Sequence, residues 1–220
     1  MTVYTPLQQR AYEYLKDSIL SGRLSRDDVY SEARFARELK MSRTPVREAL
    51  QRLVQEGYVD VLPSRGFMIH PLTEKDIVAM YQMRTAIECF CLAWYADQPD
   101  RPVVQRLLTL LRENLACQQR CLAGQAPLED YYKCDCEFHR LIVMLMENPW
   151  FNEAFEKYVR QFQLMTRMTM DRLERIDRSV REHEEICEII AQGRRHEVFS
   201  WMHRHLAFPT RVTLDLVKNG

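Results

Sequence analysis

The stretch Ser42-Arg43-Thr44-Pro45-Val46-Arg47-Glu48-Ala49-Leu50 constrains the fold of this 220-residue chain more than any other. Proline is tolerated in a helix only in the first turn, where backbone N–H groups have no helical acceptor. Pro45 therefore marks a helix start, and Ser42 is placed to be its N-cap. Val46, Leu50, Leu53 and Val54 recur at i, i+4, i+7 and i+8, so this face is expected to pack inward. Arg43 and Arg47, one turn apart, are left at the exposed N-terminal end. Two guanidinium forks there suit phosphates or guanine edges in a DNA major groove. A solvated surface helix would carry the same residues, so the flanking segments decide.

Those segments read as a winged helix-turn-helix. A first helix is expected from about Thr5 to Ser21, with Leu7, Ala11, Leu15 and Ile19 as its stripe and Gly22 as its stop. A second starts at Ser31 and turns Phe35, Ala36 and Leu39 inward. A short turn through Lys40 and Met41 then leads into the arginine-bearing helix, which stops at Gly57. Tyr58-Val59-Asp60-Val61 alternates like a strand. Phe67-Met68-Ile69 can pair back across a turn at Pro63-Ser64-Arg65-Gly66, the expected wing, with Arg65 at its tip. Gly66 would let the backbone bend or approach DNA closely.

After His70-Pro71 the pattern changes. Thr73 and Asp76 form a capping-box-like start, and six helices follow, over about 74–97, 101–123, 127–147, 150–170, 172–192 and 194–217. The expected organisation is a DNA-binding domain over 1–70, a linker at 71–75 and a helical bundle over 76–220; the fold class is mainly α. The chain is 46% hydrophobic, and its 31 basic and 31 acidic residues cancel. Residues 1–70 hold 11 Lys/Arg against 9 Asp/Glu, so a DNA surface must be a local patch rather than a global field. No run approaches the roughly 18 apolar residues of a membrane span, and no secretory signal opens the chain. With seven cysteines lacking zinc-ribbon spacing, this implies a cytoplasmic protein with free thiols and no membrane partner. Cys117 and Cys121, at i, i+4, could approach each other, although filling the core is the favoured reading of the cysteines.

Within the bundle, Asp135 and His139 are four apart on a helix and project about 40° from one another. A carboxylate and an imidazole so placed can take adjacent positions on a divalent ion. The pattern alone is more often a surface ion pair. His183 and His205 lie on two later helices, and His203 sits on nearly the opposite face from His205.

The segments SRTPVREALQRLVQEGYV and PSRGFMIHPLTEKDI closely resemble the DNA-binding domain of GntR-family bacterial transcription regulators, in the FadR/VanR-like branch with an FCD effector domain. The resemblance implies DNA contacts by Arg43, Thr44 and Arg47 and wing contacts by Arg65 and Gly66. Ala33 stands where the family often has an arginine, so Arg34, which follows it, is carried over in its place. Arg26-Asp27-Asp28 replaces the usual Pro-Gly ahead of the second helix. In the second half, Asp135-Cys136-Glu137-Phe138-His139, Glu182-His183-Glu184-Glu185-Ile186 and Met202-His203-Arg204-His205-Leu206 are similar to FCD segments. Together they imply a metal site of Asp135, His139, His183 and His205, with His205 selected over His203 by register.

Such a site would hold a divalent ion (zinc first, with nickel, manganese or iron as alternatives) and leave room for an anionic organic acid. Arg84, in an R-x-x-x-E segment, could clamp a carboxylate or simply pair with Glu88; Arg167 is a further candidate. The function so implied is a homodimeric repressor on a near-palindromic operator in double-stranded DNA, modulated by a small carboxylate effector. The alternative is a metal-dependent hydrolase on the Asp/His site, with Glu137 or Glu182 as base; it leaves the winged helix unexplained. An acyl-CoA sensor without metal is disfavoured, because all four ligand positions are filled.

Overall fold

The computed structural model describes residues 5–25, 28–71, 73–169 and 173–219, with side chains except at 157, 160–162, 164–169, 173, 174 and 219. The chain divides into two compact units, Met1–Pro71 and Leu72–Gly220.

In the first unit, α1 (Pro6–Leu20) begins with a capping box between Thr5 and Gln8, and proline occupies its first turn. Ala11, Tyr12, Leu15 and Ile19 are buried, whereas Leu7, expected on the same stripe, is 51% exposed in the first turn. The short α2 (Glu32–Glu38) is capped by the Ser31 side chain and buries Phe35 and Ala36. A turn with Lys40 at φ 53° leads to α3 (Arg43–Gln55). Ser42 holds the N-cap position in extended backbone, but its side chain makes no capping hydrogen bond. The inward face of α3 is Pro45, Val46, Ala49, Leu50 and Leu53. Val54 falls at one edge of that arc and is exposed, and the buried arc extends instead to Ala49 on its other side.

Strands β1 (Val59–Leu62) and β2 (Gly66–Ile69) pair antiparallel, Val59 opposite Ile69 and Leu62 opposite Gly66. Tyr30 bridges to Phe67 from outside the hairpin. The rings of Tyr30, Phe35 and Phe67 gather with centroids 5.7–5.9 Å apart, tying the wing to α2. The loop at Arg26-Asp27 lies outside the described residues.

The described residues of the second unit form a bundle of six α-helices: α4 (Glu74–Ala96), α5 (Pro102–Leu122), α6 (Leu128–Met144), α7 (Pro149–Thr169), α8 (Leu173–Ala191) and α9 (Val198–Asn219). The Thr73/Asp76 capping box starts α4 as the sequence implies. Prolines stand at the starts of α5, α6 and α7, where no N–H is needed. The last expected helix is divided, a 3-10 turn at Arg195–Glu197 preceding α9. Leu92, Tyr95, Leu107, Leu111, Phe138, Ile186, Ile190 and Trp201 belong to one core cluster drawn from α4, α5, α6, α8 and α9. The Tyr95 hydroxyl donates to the Ile142 carbonyl at 3.0 Å, which satisfies a polar group inside that core. Among the described residues no helix is long and apolar enough to cross a membrane.

Candidate functional site

Three imidazoles meet in the interior of the bundle. His139 on α6, His183 on α8 and His205 on α9 are all buried, and their ligand atoms lie within 4.8 Å of one another. His139 Nε2 is 3.3 Å from His183 Nε2 and 3.2 Å from His205 Nε2. Two nitrogens each about 2.0–2.1 Å from a tetrahedral ion stand about 3.3 Å apart, so these spacings suit metal ligation.

The opposite ring nitrogens fix the tautomers. His139 Nδ1 contacts Glu88 Oε2 at 2.6 Å, His205 Nδ1 contacts Glu182 Oε2 at 2.7 Å, and His183 Nδ1 contacts Gln118 Oε1 at 2.9 Å. Carboxylate and carbonyl oxygens accept, so each Nδ1–H donates and each Nε2 presents its lone pair to the common centre. Three lone pairs converging in a buried space repel one another unless a cation or proton lies between them. The donor set therefore fits a divalent ion.

Packing holds the rings in place. Phe138 stacks on His183 with centroids 4.1 Å apart, and Trp201 stacks on His205 at 4.8 Å. The Trp201 indole N–H is itself anchored on the Glu182 carbonyl at 2.9 Å. Asp135 is buried beside this trio. Its Oδ1 is 3.9 Å from His183 Nε2 and accepts from the Tyr131 hydroxyl at 3.4 Å and the Ser179 hydroxyl at 3.5 Å. To share an ion with the imidazoles it would have to draw in by roughly half an ångström. His203 is exposed and meets the Tyr81 ring edge-on.

The electrostatics favour the neutral form of His183 and His205 and the charged form of Glu88 and Glu182. Burial, followed by the charges of His205 and His139, holds the His183 pKa well below 6.5; burial also lowers that of His205. Burial works to raise the Glu88 carboxyl, but the Arg84 and His139 charges outweigh it and hold it down at about 2. Glu182 is lowered in the same way, burial being overcome by His205 and Arg178.

Arg84 is committed to this network: its Nε donates to Glu88 Oε1 at 2.6 Å, with both side chains buried. Of the two readings of the R-x-x-x-E segment, the ion pair with Glu88 is thus the one the geometry displays. The Arg167 side chain lies outside the described residues. Arg175 on α8, which sequence reasoning passed over, is buried with Nε, Nη1 and Nη2 all lacking a hydrogen-bond partner among the described residues. Its guanidinium lies 4.3 Å from the Phe208 ring centre. Burial lowers its pKa, opposed by the charge of Glu182 and, more weakly, by Tyr131 and Asp135. No pattern in the sequence distinguishes Arg175 from its exposed neighbours. Glu88 and Gln118 were equally hidden, since neither is near a histidine in sequence.

In the first unit, Arg34, Arg43, Thr44, Arg47 and Arg65 are all exposed. Arg47 reaches across to α2, its Nε 3.1 Å from both Glu32 carboxylate oxygens and its Nη2 3.0 Å from Oε2. The Arg34 guanidinium lies over Tyr30, 5.1 Å from the ring centre. Gly66 has φ +129°, and a Cβ there would sit 2.1 Å from the Tyr30 carbonyl oxygen. Its glycine is demanded by packing inside the unit, without reference to DNA.

Cys117 meets two cysteines, Cys121 one turn along its own helix, as the i, i+4 spacing allows, and Cys134 on α6, with sulfurs 2.7 Å apart. Burial raises the thiol pKa of Cys89, Cys91, Cys134 and Cys187 to about 12, in Cys134 together with the neighbouring Cys117 sulfur.

Comparison with known proteins agrees with these features. Residues 7–69 match the bacterial regulatory proteins of the gntR family, and residues 79–208 match the FCD domain. The HTH-type transcriptional regulator YdhC of Bacillus subtilis (strain 168) is 24% identical over 184 residues, 84% of this chain and 80% of that protein. The HTH-type transcriptional repressor RspR of Escherichia coli (strain K12) is 23% identical over 201 residues, 91% of this chain and 86% of that protein. The crystal structure of a GntR transcriptional regulator from Rhodococcus sp. RHA1 superposes with a TM-score of 0.78 at 20% identity, covering 98% of this chain and 99% of that one. Winged helix and histidine-centred bundle thus occur here in one chain, which belongs to the GntR family of DNA-binding transcription regulators with an FCD effector domain and is a regulator rather than an enzyme.

Proposed function

We propose that this regulator is a metabolite-responsive repressor whose second unit binds a divalent ion through His139, His183 and His205, completed by Asp135. The observation that carries this reading is the tying of all three Nδ1 atoms, which turns three Nε2 lone pairs onto one point. Neutral imidazoles suit zinc, with nickel, manganese or iron as alternatives. A divalent cation there supplies positive charge and an open position for a carboxylate oxygen. The effector is a small organic anion, and Arg175 is its second anchor. A buried guanidinium with no hydrogen-bond partner among the described residues is unfavourable, and a carboxylate satisfies it with two parallel hydrogen bonds.

In the first unit, Arg43, Thr44 and Arg47 of α3 enter the major groove of an operator, while Arg34 and Arg65 reach the backbone or the wing contacts. A homodimer placing two such helices reads a near-palindromic site. The effector acts by favouring the arrangement with the weaker operator affinity. Repression is the sense carried by RspR's name, and an operator-binding protein works in the cytoplasm.

The test is a zinc titration of chelator-treated protein, followed by a thermal-shift screen of carboxylic acids with and without zinc. The expected result is one ion per chain, an affinity at least about 100-fold weaker in His183→Ala, and an acid that stabilises only the zinc-loaded protein. An acid that stabilises His183→Ala as well as the parent would sink the metal-site reading, and so would absence of stoichiometric zinc.

A further inference from the structure

Helices α5 and α6 pack together, and across their contact Cys134 Sγ lies 2.7 Å from Cys117 Sγ, the Cys134 thiol donating to the Cys117 sulfur. A disulfide needs about 2.05 Å, so roughly 0.65 Å of closure separates the pair from a covalent bond. Cys117 and Cys134 are half-buried, as is Cys89, whereas Cys91, Cys121, Cys136 and Cys187 are buried. The pair is therefore less shielded from a small reagent than those four. The residues that follow the two cysteines flank His183 from opposite sides. Gln118 accepts from His183 Nδ1 at 2.9 Å, and Asp135 Oδ1 stands 3.9 Å from His183 Nε2.

We propose that Cys117 and Cys134 are a thiol–disulfide exchange site for low-molecular-weight disulfides, and that closing the bond changes the ion affinity of the histidine cluster. The second clause rests on the metal-site reading; the first stands without it. The Cys117 thiolate, supported by the Cys134 S–H, attacks one sulfur of the reagent RSSR. A Cys117–S–SR bond forms as the reagent's S–S bond breaks, and RS⁻ leaves. The Cys134 proton passes to that RS⁻. The Cys134 sulfur then attacks Cys117 Sγ, forming the protein disulfide and expelling a second RS⁻, which takes up the proton that Cys117 lost. Two protein thiols are oxidised and one reagent disulfide is reduced to two RSH. The new bond clips α5 to α6 and shifts Gln118 and Asp135 against His183, which couples oxidation to the ion.

The experiment uses the full chain, reduced and metal-free, incubated with oxidised glutathione. Free thiols are then alkylated and the peptides mapped by mass. The expected product is one Cys117–Cys134 linked peptide, two hydrogens lighter than its reduced parts, reversed by dithiothreitol and absent from Cys117→Ser and Cys134→Ser. Zinc affinity, read by competition with a chromophoric chelator, should differ by about fivefold or more between oxidised and reduced protein. It should not respond to glutathione in Cys117→Ser. A lasting glutathione adduct, a Cys117–Cys121 link or a link between chains would overturn the exchange site. A Cys117–Cys134 link with affinities within about twofold would overturn the coupling. If the reduced protein takes up no zinc, the metal-site reading and the coupling fall together, and the peptide map still decides the exchange site.

Discussion

A methyl group at position 66 would overlap the Tyr30 carbonyl oxygen, and the backbone there is in a region that L side chains rarely adopt. Gly66→Ala is therefore expected to destabilise the winged-helix unit by about 2 kcal/mol or more, read as a lower denaturant midpoint. Unchanged stability would mean that the bridge between Tyr30 and Phe67 is readily broken. The glycine itself was legible in the turn Pro63-Ser64-Arg65-Gly66, but its reason was not, because Tyr30 is far away in sequence. The histidines show the same division. Their identity follows from sequence motifs, whereas Glu88, Gln118 and Glu182, which aim them, come together only when α4, α5 and α8 pack.

The proposed recognition helix, α3, is set up by its own sequence and held by a neighbour's. Periodicity placed α3 correctly to within its last turn and put Arg43 and Arg47 on its exposed side; Val54 was misassigned because it lies at the edge of the buried arc. What periodicity could not show is that Arg47 is engaged by Glu32 of α2. The pair is exposed, so it adds little stability, and a nucleic-acid acceptor can displace it. Arg47→Ala is expected to weaken operator binding by about 1–3 kcal/mol, roughly 5- to 150-fold, and to relax sequence preference while the circular dichroism stays unchanged. Full discrimination by that variant in a gel-shift titration would remove Arg47 from the reading surface. On α6, one helix carries Asp135 and His139 toward the centre of the bundle and Cys134 toward α5, so a single element joins the candidate ion site to the thiol pair.

Across the second unit, the buried groups make stability depend on pH in one direction. His183 and His205 have folded pKa values depressed below 6.5, so as pH falls past that value the unfolded chain gains protons that the folded chain does not. Glu88 adds to the same slope from about 4.5 downward, through its folded value of about 2. The metal-free protein should keep its full melting temperature above about pH 7 and lose it progressively below about pH 6.5. A flat melting profile from pH 8 to pH 5 would contradict neutral, buried imidazoles. The sequence by itself determined the helical periods, the capped starts, the wing turn and the family's histidine pattern, because these are local and repeat at fixed spacing. Only the tertiary structure decided that Arg84 is bound to Glu88, that the buried Arg175 has no hydrogen-bond partner among the described residues and that Cys117 faces Cys134. Each of these depends on which helix lies beside which, and helix neighbours are chosen by burying whole apolar faces, a global condition that no short window of sequence contains.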